Sequence, residues 1–362
     1  MTNARALSTV LVTALTLVVG EAPPASPGSG AERELWVTSQ GTDRVFVLSF
    51  PEGERLAEIS LPPGTQPHIT TFHGGQYAYV SGMGNGTITV LDADRRQVVH
   101  TLTVGTAGAH QARISPDGKT MLVAVVSGKR LHKVAVDEAV GSWRHDGSLM
   151  LEGVGAPICT VFRADSRRAY VSLLPSGLAV VDVPTMTVVR TIPTDGFVAC
   201  GMIVAPDGRQ AVVAAGGGGG HIYTLDMETD SLEDRGTLGA GDWHSFIMTP
   251  DGRRGFGTSP KTDEVVVVDL TTRPVTRIYT LRLDPVKLPG ANQPDAVGGG
   301  ETVVDGTLPV SLRAAGQLAL IDTATLETRV FIRLARPAPF NPATCAGCAL
   351  HGVTVRPAGR GR

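Results

Sequence analysis

The sequence carries no excess of charge of one sign. Its 32 Lys and Arg stand against 34 Asp and Glu, a net charge of -2, so there is no basic stripe for a phosphate backbone and nucleic acid is not expected as a partner. No apolar run after the first twenty residues is long enough to cross a bilayer, so the mature chain is expected to have no membrane span. No Cys follows the first apolar run, which argues against a lipoprotein. The sequence also lacks Cys-x-x-Cys-His: Cys345-Ala-Gly-Cys348 is followed by Ala349, so attachment of c-type haem is not indicated. Ser and carboxylate residues are scattered, with no nucleophile, base and orienter at an interpretable spacing, and whether the chain is an enzyme stays open. What is abundant is glycine and proline, 44 and 24 residues, the composition of a protein with many tight turns.

The first residues read Met-Thr-Asn-Ala-Arg, followed by an apolar stretch over 6–20 and a Pro-rich, small-residue stretch. That order predicts a secretory signal over residues 1–26 with a linker to about 33, and hence a periplasmic or secreted protein. The alternative is an uncleaved anchor, for which the run is shorter than the ~20 residues of a spanning helix.

From residue 34 to 362 one unit recurs seven times: an apolar strand, a polar or Gly turn, a second strand often closing on Asp, a turn, and a third strand. Its copies begin at Leu35, Tyr77, Met121, Tyr170, Ala211, Gly255 and Pro309. Between copies lies a shared lead-in, ISPDGK from Ile114, VAPDGR from Val204 and MTPDGR from Met248, with FRADSR from Phe162 a weaker form. Pro followed by Asp-Gly marks a tight turn, so each lead-in joins an innermost strand to the next one out. Four-stranded units at spacings of roughly 40 to 50 residues predict a seven-bladed β-propeller, all-β in class. The first copy lacks an innermost strand, and HGVTVRPAG from His351 supplies one with nothing after it, so the C-terminal strand is expected to close blade one. Closure of this kind hides the edges that an open sheet would present.

The segment from Tyr77 to Gly105 resembles the repeat of the YVTN-type, or YncE-like, β-propeller family. The likeness rests on YVSG at Tyr79 and YVSL at Tyr170, on ITVLD and ALIDTAT, and on VVHTLTVG and VVRTIPT. It covers nearly all of the chain after residue 33 and is specific for fold rather than function. It implies a surface, envelope or periplasmic protein, and related propellers hold haem d1.

Aligning the copies on the lead-in turn brings one column into view at the start of each innermost strand. Blade two gives His68, blade three His110, blade five Cys200, blade six His244 and the closing strand His351; blade four offers Cys159, one residue out of register. Blade seven has Gly at the aligned site and Asp295 nearby. With nine His and four Cys in 362 residues, six near-matches in seven blades exceed what chance gives. Innermost strands surround the propeller axis, so imidazoles and thiols are expected to converge at one mouth of the channel. These donors select copper first and zinc second, whereas calcium or magnesium would want clustered carboxylates. Cys345, Cys348 and His351, spaced Cys-x-x-Cys-x-x-His, lie just ahead of the closing strand. The expected groupings are Cys345, Cys348, His351 and His68 in one set, and His110, Cys159, Cys200 and His244 in another. Asp242, beside Trp243 and His244, is a candidate to orient that imidazole.

Other readings stay open. Cys345 and Cys348 form a disulfide in one of them, and Cys159 and Cys200 form another if their Cα atoms approach within ~7 Å. The histidines would then line a polar, water-filled channel. In function, an exported metal-binding propeller in metal handling or copper-dependent redox chemistry, with an envelope protein or redox partner, competes with a non-catalytic envelope interaction module. A haem d1 carrier or maturation-type propeller is a third reading.

Overall fold

The computed structural model describes residues 33–216, 219–239, 243–260, 262–283, 292–296, 303–337 and 348–357. The signal-peptide reading, Asp242 and Cys345 fall outside them. Seven four-stranded antiparallel sheets form the blades of a β-propeller. The strands nearest the axis are Val353–Val355, Pro67–Phe72, Ala109–Ile114, Ala156–Phe162, Met202–Val204, Ser245–Met248 and Pro294–Asp295, for blades one to seven.

The lead-in sequences form the turns their residues dictate. Asp117 Oδ1 accepts a hydrogen bond from the Lys119 amide, Asp207 Oδ1 from Arg209 and Asp251 Oδ1 from Arg253. The next residue, Gly118, Gly208 or Gly252, takes a left-handed φ of 68° to 74°, which glycine adopts without a Cβ clash. The aspartates that end the third strands do equivalent work: Asp92, Asp182, Asp226, Asp269 and Asp322 each accept an amide two or three residues on. These side chains start the turn to the outermost strand by mimicking a backbone carbonyl.

Burial follows the radial position of each strand. Tyr77–Gly82 and Thr87–Asp92, in mid-blade, are almost wholly buried, whereas the outermost strand Gln97–Thr103 alternates between exposed and half-buried. Mid-blade strands are covered on both faces by neighbouring blades. Trp36, Val45, Phe72 and Leu91 fill the gap between blades one and two, and Tyr79, Val90, Met121 and Trp143 that between two and three.

The C-terminal strand completes blade one, pairing Leu35 with Val355, Trp36 with Thr354 and Val37 with Val353. The amide of Thr38 donates to Gly352 O and that of His351 to Thr38 O, while Arg356 pairs with Glu34 and Asp94 at the rim. Closure thereby delivers His351 to the axis.

Candidate metal centre

The column residues stand at the entry ends of the innermost strands, where local irregularities turn them inward. In blades two, three and four an extra residue interrupts the ladder at this point, between Pro67 and Thr70, Ala109 and Gln111, and Pro157 and Thr160. A bulge re-aims the side chain it carries, here His68, His110 and Cys159. A second device fixes the backbone around them. Thr38 Oγ donates to His68 O at 2.8 Å, Ser81 Oγ to His110 O at 2.8 Å, Ser172 Oγ to Ala199 O at 2.9 Å and Ser311 Oγ to His351 O. Each hydroxyl belongs to the second strand of one blade and holds the entry segment of the next.

The result is a continuous ring of side chains. The His351 and His68 rings lie with centroids 3.6 Å apart, tilted by 37°, and His68 Nε2 lies 3.0 Å from His110 Nε2. His110 Nδ1 faces Cys159 Sγ at 3.7 Å. Cys159 is joined to Cys200 by a disulfide, with Cα atoms 5.3 Å apart. The Cys200 amide donates to His244 O, His244 Nδ1 is 2.9 Å from Asp295 Oδ2, and the same oxygen is 3.9 Å from His351 Nε2. Inside the ring, Arg313 reaches Asp295 at 3.5 Å and Cys348 Sγ at 3.5 Å.

Several expectations are corrected by this arrangement. Blade seven does not break the column: it contributes Asp295, fully buried. His244 groups with Asp295 and His351 of the two following blades, not with His110 and the cysteines. Its carboxylate neighbour is therefore Asp295. Cys159 and Cys200, bridged, are not thiolates, so the ligand role expected of them does not apply to this oxidised pair. Cys348 sits beside Arg313, and the ligand set drawn around Cys345 cannot be traced beyond it. Trp243 is a packing residue, wedged against Phe246 and the Cα of Gly257.

Burial keeps three of the imidazoles neutral. It pushes the His68 and His351 pKa values well below the usual histidine range, and that of His110 down to about 3, with neighbouring cationic groups adding to the effect. Burial alone would raise the Asp295 pKa, but His244, Arg313 and the Ser245 hydroxyl outweigh it and hold the carboxyl below its ordinary value. Gln40 Nε2 lies 2.9 Å from His68 Nδ1. With that amide donating, the His68 proton sits on Nε2 and points at His110 Nε2, leaving the proton of His110 on Nδ1. His351 is different: it is wholly buried, and among the described residues neither ring nitrogen has a hydrogen-bond partner. Buried polar atoms are nearly always satisfied, so this one asks for a ligand.

Among the described residues, two sets of donor atoms lie within 4.8 Å of one another: His244, Asp295 and His351, and His110, Cys159 and Cys200. Ligands on one ion at ~2.0–2.2 Å stand at most ~4.2 Å apart, so small side-chain shifts would suffice. A tetrapyrrole does not fit among rings spaced 3.6 to 5.7 Å apart.

No protein-family model matches the chain. Among solved structures it is similar to Kuenenia stuttgartiensis hydrazine synthase, at 17% identity over 83% of this chain and 97% of that one, with a TM-score of 0.62. It is also similar to the dihydro-haem d1 dehydrogenase NirN solved with DHE, at 16% identity over 91% and 77%, TM-score 0.61. A protein of unknown function from Desulfotomaculum acetoxidans matches at 15% identity over 90% and 99%, TM-score 0.63. At such identities the likeness concerns architecture, and it agrees with the topology: the chain is a seven-bladed β-propeller.

Proposed function

We propose that this protein is an exported copper-binding propeller, a divergent member of the YVTN-type group, whose ion is held at the axis by His351 with His244, Asp295 and His68. The observation that carries the reading is His351, buried among three other imidazoles with both ring nitrogens unsatisfied among the described residues. An ion turns that cost into a bond. The neutral His351 imidazole is already in the state a metal requires, so no proton has to leave it first.

Charge favours copper over zinc. Asp295 and Arg313, 3.5 Å apart and buried, cancel, and burial holds His68 and His351 neutral, so these four groups bring no net charge. Burying a further charge is costly, and a monovalent ion costs least. Copper has an accessible monovalent state and a liking for imidazole. The work of this chain's residues is to present lone pairs, to pin Asp295 through Arg313, and to exclude water. Metal handling follows directly from such a site; copper-dependent redox chemistry would need a partner able to approach the channel mouth.

The test is elemental analysis of exported, purified protein, followed by titration of the metal-free form with Cu(I) and with Zn(II). Copper bound per chain in the wild type, lost in the His68→Ala/His351→Ala double variant and not displaced by equimolar zinc, supports the reading. Metal-free protein that takes up no copper overturns it.

A further inference from the structure

His110 offers its two ring nitrogens to different neighbours: Nε2 meets His68 at 3.0 Å, and Nδ1 meets Cys159 Sγ at 3.7 Å. Cys159 and Cys200 come from adjacent innermost strands 41 residues apart in sequence and are bonded to one another. Their donor atoms and that of His110 all lie within 4.8 Å. Cys159 is buried, but Cys200 is only partly so, and a cavity lined by Gln111, Arg113, Thr160, Met202 and Ile203 borders both residues. The disulfide is therefore reached from the Cys200 side and stands where two thiolates would complete a ligand set.

We infer that Cys159 and Cys200 form a redox gate over a second site, for a soft monovalent ion, made of the two sulfurs and His110 Nδ1. A dithiol reductant transfers two electrons and two protons to the pair; the Cys159–Cys200 bond breaks and the reductant becomes a disulfide. Cu(I) then displaces the two thiol protons and takes both sulfurs, thiolate being the donor that selects it; the His110 proton passes from Nδ1 to Nε2 and that of His68 from Nε2 to Nδ1, where the Gln40 amide, turned to present Oε1, accepts it. Exchange with a partner disulfide, which takes the two electrons and becomes a dithiol, re-forms the Cys159–Cys200 bond and releases Cu(I). The inference rests on the axial copper reading for its setting but not for its outcome, because the histidine set is available in both redox states and the cysteine pair in only one.

The experiment compares Cu(I) uptake by oxidised protein and by protein reduced with a dithiol and desalted without oxygen. Reduction is expected to add about one copper per chain, since each three-donor set accommodates one ion, with sulfur scattering at copper in the X-ray absorption spectrum of the reduced sample only. In Cys159→Ser/Cys200→Ser protein the increment should vanish while oxidised-state uptake persists. Differential alkylation of wild-type protein provides a check that needs no variant: copper should shield Cys159 and Cys200 from the reagent by at least tenfold. Equal uptake in both redox states, or equal alkylation with and without copper, overturns the gate. Absence of copper from the oxidised protein with a normal increment on reduction would instead overturn only the histidine site.

Discussion

Replacing His351 by Leu separates the two roles the residue plays. Its ring nitrogens are buried and have no hydrogen-bond partner among the described residues. Leaving a buried polar atom unsatisfied costs about 1–3 kcal/mol, whereas an apolar group of similar shape carries no such penalty. Leu is close to His in volume, so His351→Leu is expected to raise metal-free stability by about 2 kcal/mol. Copper reverses the order. At a free concentration one hundred times the dissociation constant, binding stabilises the wild type by about 2.7 kcal/mol and leaves the variant unchanged. Urea unfolding followed by tryptophan fluorescence, with chelator and then with buffered Cu(I), reads both states, since Trp36 and Trp243 are buried. A variant less stable than wild type without metal would refute the claim that His351 is an unsatisfied group. Equal stabilisation of both proteins by copper would refute its role as a ligand.

Two further outcomes follow from the closure and from the burial of the imidazoles. Deleting residues 351–362 removes Val353 and Val355, both buried and each contributing ~1.5–3 kcal/mol, along with the ladder to Leu35 and Val37. That loss is comparable with the whole net stability of about 5–15 kcal/mol, so the truncated chain should lose its cooperative melting transition, and an unchanged melting temperature would contradict the closure. In acid, His110 titrates at about 3 when folded against 6.5 when unfolded, so the unfolded chain takes up its proton first. Metal-free stability should be constant above pH 6.5 and fall as pH drops towards 3, by up to about 1.4 kcal/mol per pH unit for this group, with His68 and His351 acting in the same direction. Urea midpoints that stay flat from pH 6.5 to 4.5 would disprove neutral burial.

The parts of this molecule that read directly from sequence are those encoded locally. Asp-Gly turns, strands closing on Asp and the orphan strand after His351 each depend on a few adjacent residues, and together they predict seven blades and their closure. The His/Cys column was visible for the same reason, since it keeps a fixed distance from the turn. Asp295 lies near the column in sequence but does not read as a member of it, because blade seven lacks the Pro-Asp-Gly lead-in that fixes the register and its innermost strand spans only Pro294–Asp295. Arg313 and Gln40 were missed because their roles depend on contacts across blades. The disulfide was a question of Cα spacing, which a linear pattern does not contain. One signal was present and unread: the hydroxyl after the aliphatic residue in WVTS, YVSG, YVSL and PVSL recurs at Thr38, Ser81, Ser172 and Ser311.

Those hydroxyls make each of four blades responsible for its neighbour's position at the axis. A blade is thus not a self-contained module. A donor blade grafted into this ring would have to carry a Ser or Thr aimed at the following entry segment and a free carbonyl offered to the preceding one. Shuffling blades between propellers would otherwise preserve the architecture while letting the ring at its centre drift out of alignment, and the tolerance of this fold for exchange would end at the hand-over from one blade to the next.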